Sequence, residues 1–159
     1  MKKLKLAILG NGFLADIIVE VACRGLLDEY ELTGILGRTK EKTEKLAQKG
    51  HCQACETIEE LLGSHPDYVA EAASVQSVRD YGEQILSAGA SLIVLSIGAF
   101  ADSGFYGEMQ ETAREHGTRI YIASGAVGGF DVLRTVSLMG QVKAGICTHK
   151  GPASLKHTP

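Results

Sequence analysis

The chain has 159 residues, 45% hydrophobic and 22% charged, which is about one domain's length and an ordinary balance for a globular protein. Its net charge of −3 argues against non-specific nucleic-acid binding, and the absence of tryptophan weakens any case for a base-stacking surface. No stretch reaches the ~20 apolar residues that a membrane-crossing helix needs. Gly10, Asn11, Gly12 and Asp16 break the N-terminal apolar run too early for a signal peptide, so a cytoplasmic protein is expected.

The opening residues are the most informative. Residues 5–9 form a short apolar run that predicts a strand. The run breaks into Gly10-Asn11-Gly12-Phe13-Leu14-Ala15, and an apolar pattern through Ile17, Ile18, Val21, Ala22 and Leu26 predicts a helix. A glycine turn between strand and helix lets the backbone approach a pyrophosphate, and the helix N-terminus supplies free N–H groups and a favourable dipole. Gly10 would make the tight turn, Gly12 the close approach, and Ala15 the small contact between helix and strand. The alternative is an ordinary strand–helix turn that happens to contain glycines.

Strand and helix then alternate. Strands are expected at residues 32–36, 53–55, 67–72, 92–97 and 119–122. Helices are expected at residues 40–48, 58–62, 74–88 and 105–116, with Gly89 and Gly117 stopping the last two. This order predicts an α/β fold, a doubly wound parallel sheet of the Rossmann type with right-handed crossovers. Ligands on such sheets bind beyond the carboxyl ends of the strands, near the switch point.

Four cysteines, Cys23, Cys52, Cys55 and Cys147, are too few for a disulfide framework. Cys52-Gln53-Ala54-Cys55 beside His51 has metal-like spacing but lacks a second ligand pair to close a tetrahedral site, so no metal is expected there.

The end of the second strand bears on which dinucleotide binds. An acid there would hydrogen-bond the ribose 2′-hydroxyl of NAD. This chain has Gly37-Arg38-Thr39-Lys40, with no acid until Glu41. Arg38 would stack on adenine and pair with a 2′-phosphate, and Thr39 would add a hydrogen bond, so NADP is favoured over NAD. Arg38 as a solvated loop residue is the bland alternative.

Three further segments follow strands: Glu71-Ala72-Ala73-Ser74, Ser96-Ile97-Gly98-Ala99-Phe100-Ala101-Asp102 and Ser124-Gly125-Ala126-Val127-Gly128-Gly129-Phe130-Asp131. With the opening turn, these motifs resemble those of the L-aspartate dehydrogenase family, and the resemblance covers essentially the whole chain. Homoserine dehydrogenases and dihydrodipicolinate reductases share only the dinucleotide fold and looser motifs. The resemblance implies NAD(P)-dependent oxidation of L-aspartate, with hydride passing from Cα to the nicotinamide. The product would be iminoaspartate, which hydrolyses to oxaloacetate and ammonia or feeds pyridine-nucleotide synthesis. It also implies cofactor contacts at Gly10, Asn11, Gly12, Phe13 and Leu14, at Ala73 and Ser74 near the nicotinamide ribose, and at Ala126. The 124–129 segment also reads as a hinge, since glycine serves hinges and close approach alike.

The resemblance further implies a division into a cofactor-binding domain, 1–123, and a hinge with the start of a second α/β domain, 124–159. A helix is expected over residues 131–139 and a strand over 142–149. Members of the family are longer and place a catalytic histidine further on. No residue here matches it, and His149 and His157 read as solvated. Arg134, Lys143 and Lys150 are candidate partners for substrate carboxylates. Three functions follow: the cofactor-binding part of an L-aspartate dehydrogenase acting on a small-molecule substrate, a non-catalytic NADP-binding module, or a reductase of the dihydrodipicolinate or homoserine class. Taken alone, the chain is expected to show no aspartate-dependent turnover. An unpaired edge at residues 142–148 would invite self-association, making a homodimer the expected assembly.

Overall fold

A computed structural model describes residues 2–123 and 130–141, with 143, 145 and 147. The chain divides into two compact units, Met1–Ala123 and Ser124–Pro159.

The first unit alternates strand and helix: β1 (Leu4–Leu9), α1 (Phe13–Cys23), β2 (Tyr30–Leu36), α2 (Lys40–Gly50), β3 (Gln53–Cys55), α3 (Ile58–Gly63) and β4 (Tyr68–Glu71). It continues through α4 (Val75–Ser87), β5 (Ser91–Val94), a 3₁₀ turn (Ile97–Ala101), α5 (Ser103–Glu115) and β6 (Ile120–Ile122). The six strands are parallel in the order β3-β2-β1-β4-β5-β6. The order reverses between β1 and β4, whose ends align with Leu9 opposite Glu71. This is the doubly wound sheet expected from the alternation, and its switch point lies beyond Leu9.

Side-chain alternation along the strands sends successive residues to opposite faces. On one face Ala7, Leu9, Val69, Leu92 and Val94 pack with Ile58 and Leu61 of α3, Val78, Ile85 and Leu86 of α4, and Met109 of α5. On the other, Ile8 and Ile35 meet Ala15 and Val19 of α1 and Leu46 and Ala47 of α2. Each wholly buried Ile or Leu is worth about 1.5–3 kcal/mol over leaving it exposed, whereas an exposed pair such as Arg24–Glu20 adds about 1 kcal/mol at most. The two apolar layers therefore hold the sheet.

Local signals set the helix ends. Thr57 caps α3, its hydroxyl accepting from the Glu60 N–H at 3.3 Å. Thr57→Ala should cost about 1 kcal/mol, read as a lower urea midpoint at constant slope. Asp102 caps α5 by accepting from the Gly104 and Phe105 N–H groups. The Phe105 N–H above all, with Gly104 and Arg79, holds its carboxyl below the ordinary range.

Two boundaries differ from the sequence pattern. The first helix stops at Cys23 rather than running to Leu26, because Gly25 takes φ +72° and leaves Leu26 68% exposed. The fifth strand stops at Val94 rather than residue 97, because Ser96 turns to bond a carboxylate on β4 and the chain then enters the 3₁₀ turn.

In the second unit a helix, α6, spans Phe130–Met139. Of the strand expected over 142–149, residues 143, 145 and 147 are described and are not in a strand; the others lie outside the described residues. Among the described residues no helix is long and apolar enough to cross a membrane.

Candidate functional site

A cleft of about 320 Å³ opens at the switch point. Its floor is Leu9, the last residue of β1, with Gly10, Asn11 and Gly12, and one wall is Leu36, the last residue of β2, with Gly37, Arg38 and Glu56. The facing wall is Ala72, Ala73 and Ser74 after β4, continued along α4 by Ser77 and Tyr81.

Gly10 is buried at φ +132°, and a Cβ there would sit 2.5 Å from the Ala72 carbonyl oxygen. Only glycine lets the first turn pass so close to the β4 end. Gly12 is the opposite case. It is the N-cap of α1, with ordinary extended backbone, and a Cβ built on it meets nothing within 4 Å. Among the described residues no side-chain hydrogen bond caps the helix at this end. Such an end favours an anion through both its unpaired donors and its dipole. A dinucleotide pyrophosphate fits these two glycines.

Asn11 lies between the two loops. Its amide donates to the Thr39 carbonyl and to Thr43 Oγ1, both at 2.9 Å. The side chain lies against Gly37, which has no room for a Cβ. Thr43 is only 2% exposed and donates to the Thr39 carbonyl at 3.1 Å. The side chain of Asn11 thus ties the glycine turn to the β2–α2 loop.

Arg38 is exposed and has no ion-pair partner among the described residues. Lys40 nearby is taken by Glu56, whose hydrogen bond and charge raise the lysine and lower the carboxylate relative to their usual values. Both side chains, with Arg38, also line a second hollow continuous with the β2 end.

Glu71, at the end of β4, is wholly buried yet fully satisfied. Its Oε1 accepts from the N–H groups of Ala73 and Ser74, at 2.8 and 2.9 Å, and from Ser96 Oγ at 2.9 Å. Its Oε2 accepts from the Ser96 N–H at 2.9 Å. Ser74 in turn caps α4 by accepting from the Ser77 N–H at 3.1 Å.

The fold therefore brings Gly10, Asn11, Gly12, Arg38, Ala73 and Ser74 to one cleft. Phe13 faces a neighbouring hollow with Lys42, Lys45 and Lys49, and is 78% exposed. The side chains of Leu14 and Thr39 do not line the cleft; Thr39 N-caps α2, its hydroxyl making no cap bond, and accepts from Asn11 through its carbonyl. Ala126 lies outside the described residues. Arg134 and Lys143 are exposed in the second unit, and Lys150, His149 and His157 lie outside the described residues.

Sequence reasoning assigned no role to Glu56, Glu71, Ser77 or Tyr81. The 74, 77, 81 spacing is one helix face, a signal present in the sequence. Burial pushes the Cys52 thiol up to about 11, with Cys55 and Cys23 adding to it, which disfavours the thiolate. No group of three His, Cys, Asp or Glu is placed to hold a metal among the described residues.

A parallel sheet in this strand order, with a glycine-floored cleft at its switch point, defines a dinucleotide-binding domain. Residues 10–123 match the homoserine dehydrogenase NAD-binding domain. An L-aspartate dehydrogenase of Methanococcus maripaludis is 31% identical over 153 residues, covering 96% of this chain and 57% of the relative. One from Archaeoglobus fulgidus is 52% identical over 80 residues, covering 50% of this chain and 34% of that protein. The crystal structure of aspartate dehydrogenase from Thermotoga maritima superposes with a TM-score of 0.65 at 25% identity, covering 85% of this chain and 52% of that one. The chain therefore belongs to the homoserine dehydrogenase NAD-binding domain family, and L-aspartate dehydrogenases are among the proteins it is similar to. It spans little more than half the length of the M. maripaludis relative.

Proposed function

We propose that this chain is the cofactor-binding part of an NAD(P)-dependent L-aspartate dehydrogenase. The observation that supports it most is the pairing of Gly10, closed against Ala72, with Gly12, open at an uncapped helix N-terminus. In this reading Met1–Ala123 is the cofactor domain, and Ser124–Pro159 holds the hinge and the start of the substrate domain. The nicotinamide, when bound, supplies the hydride acceptor for the aspartate Cα.

The chain's own residues bind and orient. The turn at Gly10, Asn11 and Gly12, with the N–H groups of Phe13 and Leu14, receives the pyrophosphate. Ala73 and Ser74, and Ala126 by resemblance, border the nicotinamide ribose. Their small side chains let the ring come close to the strand ends. Arg38, with Thr39 behind it, receives the adenosine end. Arg38 has no anionic partner among the described residues, whereas Lys40 is held by Glu56, so Arg38 is the cation free to take a 2′-phosphate.

The chain should therefore bind NADPH more tightly than NADH. A charge-assisted Arg–phosphate contact is worth about 1.5–3 kcal/mol, or roughly ten- to a hundredfold. Arg38→Asp should reverse the order by repelling the phosphate and accepting from the ribose hydroxyls. Fluorescence titration of both cofactors against both chains decides it; tighter NADH binding by the unsubstituted chain removes the NADP assignment. For the whole protein, reduction of NADP in the presence of L-aspartate but not L-homoserine tests the substrate.

A further inference from the structure

We propose that Glu71 is a positioning residue for the nicotinamide half of the cofactor, acting through the loops it ties together. The inference rests on the cofactor reading above and assigns a role to a residue that reading leaves unused.

A wholly buried carboxylate is costly unless every lone pair is used. Here four donors converge on it: the Ala73 and Ser74 N–H groups, and the N–H and hydroxyl of Ser96. All partners are donors. The apolar packing of β4 gives no reason for an acid at this position, because Val69 and Leu92 on the same face are simply buried. What Glu71 adds is a clasp between two loops that follow different strands. One is the Ala73–Ser74 wall of the cleft. The other leads into the Ile97–Ala101 turn, where a Cβ on Gly98 would come within 3.2 Å of Val75 at the start of α4.

The pyrophosphate floor is held independently. The Ala72 N–H bonds the Leu9 carbonyl at 2.8 Å, and the Gly10 N–H bonds the Leu36 carbonyl at 2.7 Å. Neither bond involves the Glu71 side chain. Loosening Glu71 therefore releases residues 73–74 and 96 while leaving the turn at Gly10–Gly12 anchored. The fourfold donor set also makes Glu71→Gln informative, since the amide NH₂ must then face a donor it cannot accept from.

Isothermal titration with NADPH and with 2′-phospho-ADP, a fragment that keeps the pyrophosphate but lacks the nicotinamide and its ribose, tests the proposal. The unsubstituted chain should bind NADPH more tightly than the fragment. In Glu71→Gln the NADPH affinity should fall about tenfold while the fragment stays within about twofold. Equal weakening of both ligands would show that Glu71 merely supports the fold, and no change in either would show that it does nothing for binding; each overturns the proposal. If Glu71→Gln does not fold, Ser96→Ala decides. It removes only the hydroxyl bond and should weaken NADPH alone by about threefold, with Ser96→Thr restoring it. NADPH binding no tighter than the fragment in the unsubstituted chain overturns this proposal and leaves the cofactor reading standing. Failure to bind either ligand overturns both.

Discussion

Gly12→Val should weaken dinucleotide binding about a hundredfold or more while the protein stays folded, a loss of roughly 2.7 kcal/mol. The two halves of that expectation have separate causes. Gly12 has φ −91° and ψ −167°, a region any residue occupies, and a Cβ there touches nothing within 4 Å. The fold should therefore lose no more than about 1 kcal/mol, the cost of a less favoured residue at a helix N-cap. The same empty space is where an anion would meet the first-turn N–H groups of α1. Two γ-methyl groups held by a stiff χ1 would fill it. A thermal melt alongside an NADPH titration reads both halves. Unchanged affinity in a folded variant would show that phosphate binds elsewhere.

Gly10→Ala should do the reverse and unfold the protein more readily whether or not cofactor is present. The position combines φ +132° with backbone atoms 2.5–3.1 Å from any Cβ, and backbone cannot swing aside as a flexible side chain can. Strain in the dihedral and overpacking against the β4 end each cost about 1–3 kcal/mol, so a total of about 2–6 kcal/mol is expected. For a domain of this size that lowers Tm by roughly 5–25 °C. A melt within 2 °C of the unsubstituted chain, on the order of the effect of a bland surface change, would show that the β1 end relaxes freely. Two glycines two residues apart thus answer to different tests, one of stability and one of binding.

The pattern of strands and helices was legible because both faces of the sheet are covered. Apolar runs such as residues 92–94 and the buried i, i+4 pair Ala15 and Val19 of α1 need only local sequence to be seen. The floor of the cleft was legible for the same reason: its glycines stand between one strand and one helix. What local sequence hides is partnership across the chain. The fifth strand ends early because Ser96 finds Glu71, 25 residues away. An acid at the end of an apolar strand reads as exposed, and nothing near Glu71 in sequence reveals the hydroxyl and N–H of Ser96 that it bonds. Phe13 and Leu14 are apolar residues at a helix start, yet the side chains of both are exposed. Asn11 reads as a turn residue, while its amide is used 28 and 32 residues away.

That reach of Asn11 has a kinetic and entropic consequence. A loop that must order as its ligand arrives pays for the ordering out of affinity, at about 0.5–1.5 kcal/mol per immobilised side chain. Here the β2–α2 loop is fastened to the glycine turn by the protein itself, through a backbone carbonyl and a buried threonine rather than through Arg38. The side chain at 38 is free to be exchanged without loosening the loop that carries it. On the cofactor reading proposed above, single substitutions at that position should shift the preference between the two dinucleotides without moving the glycine turn.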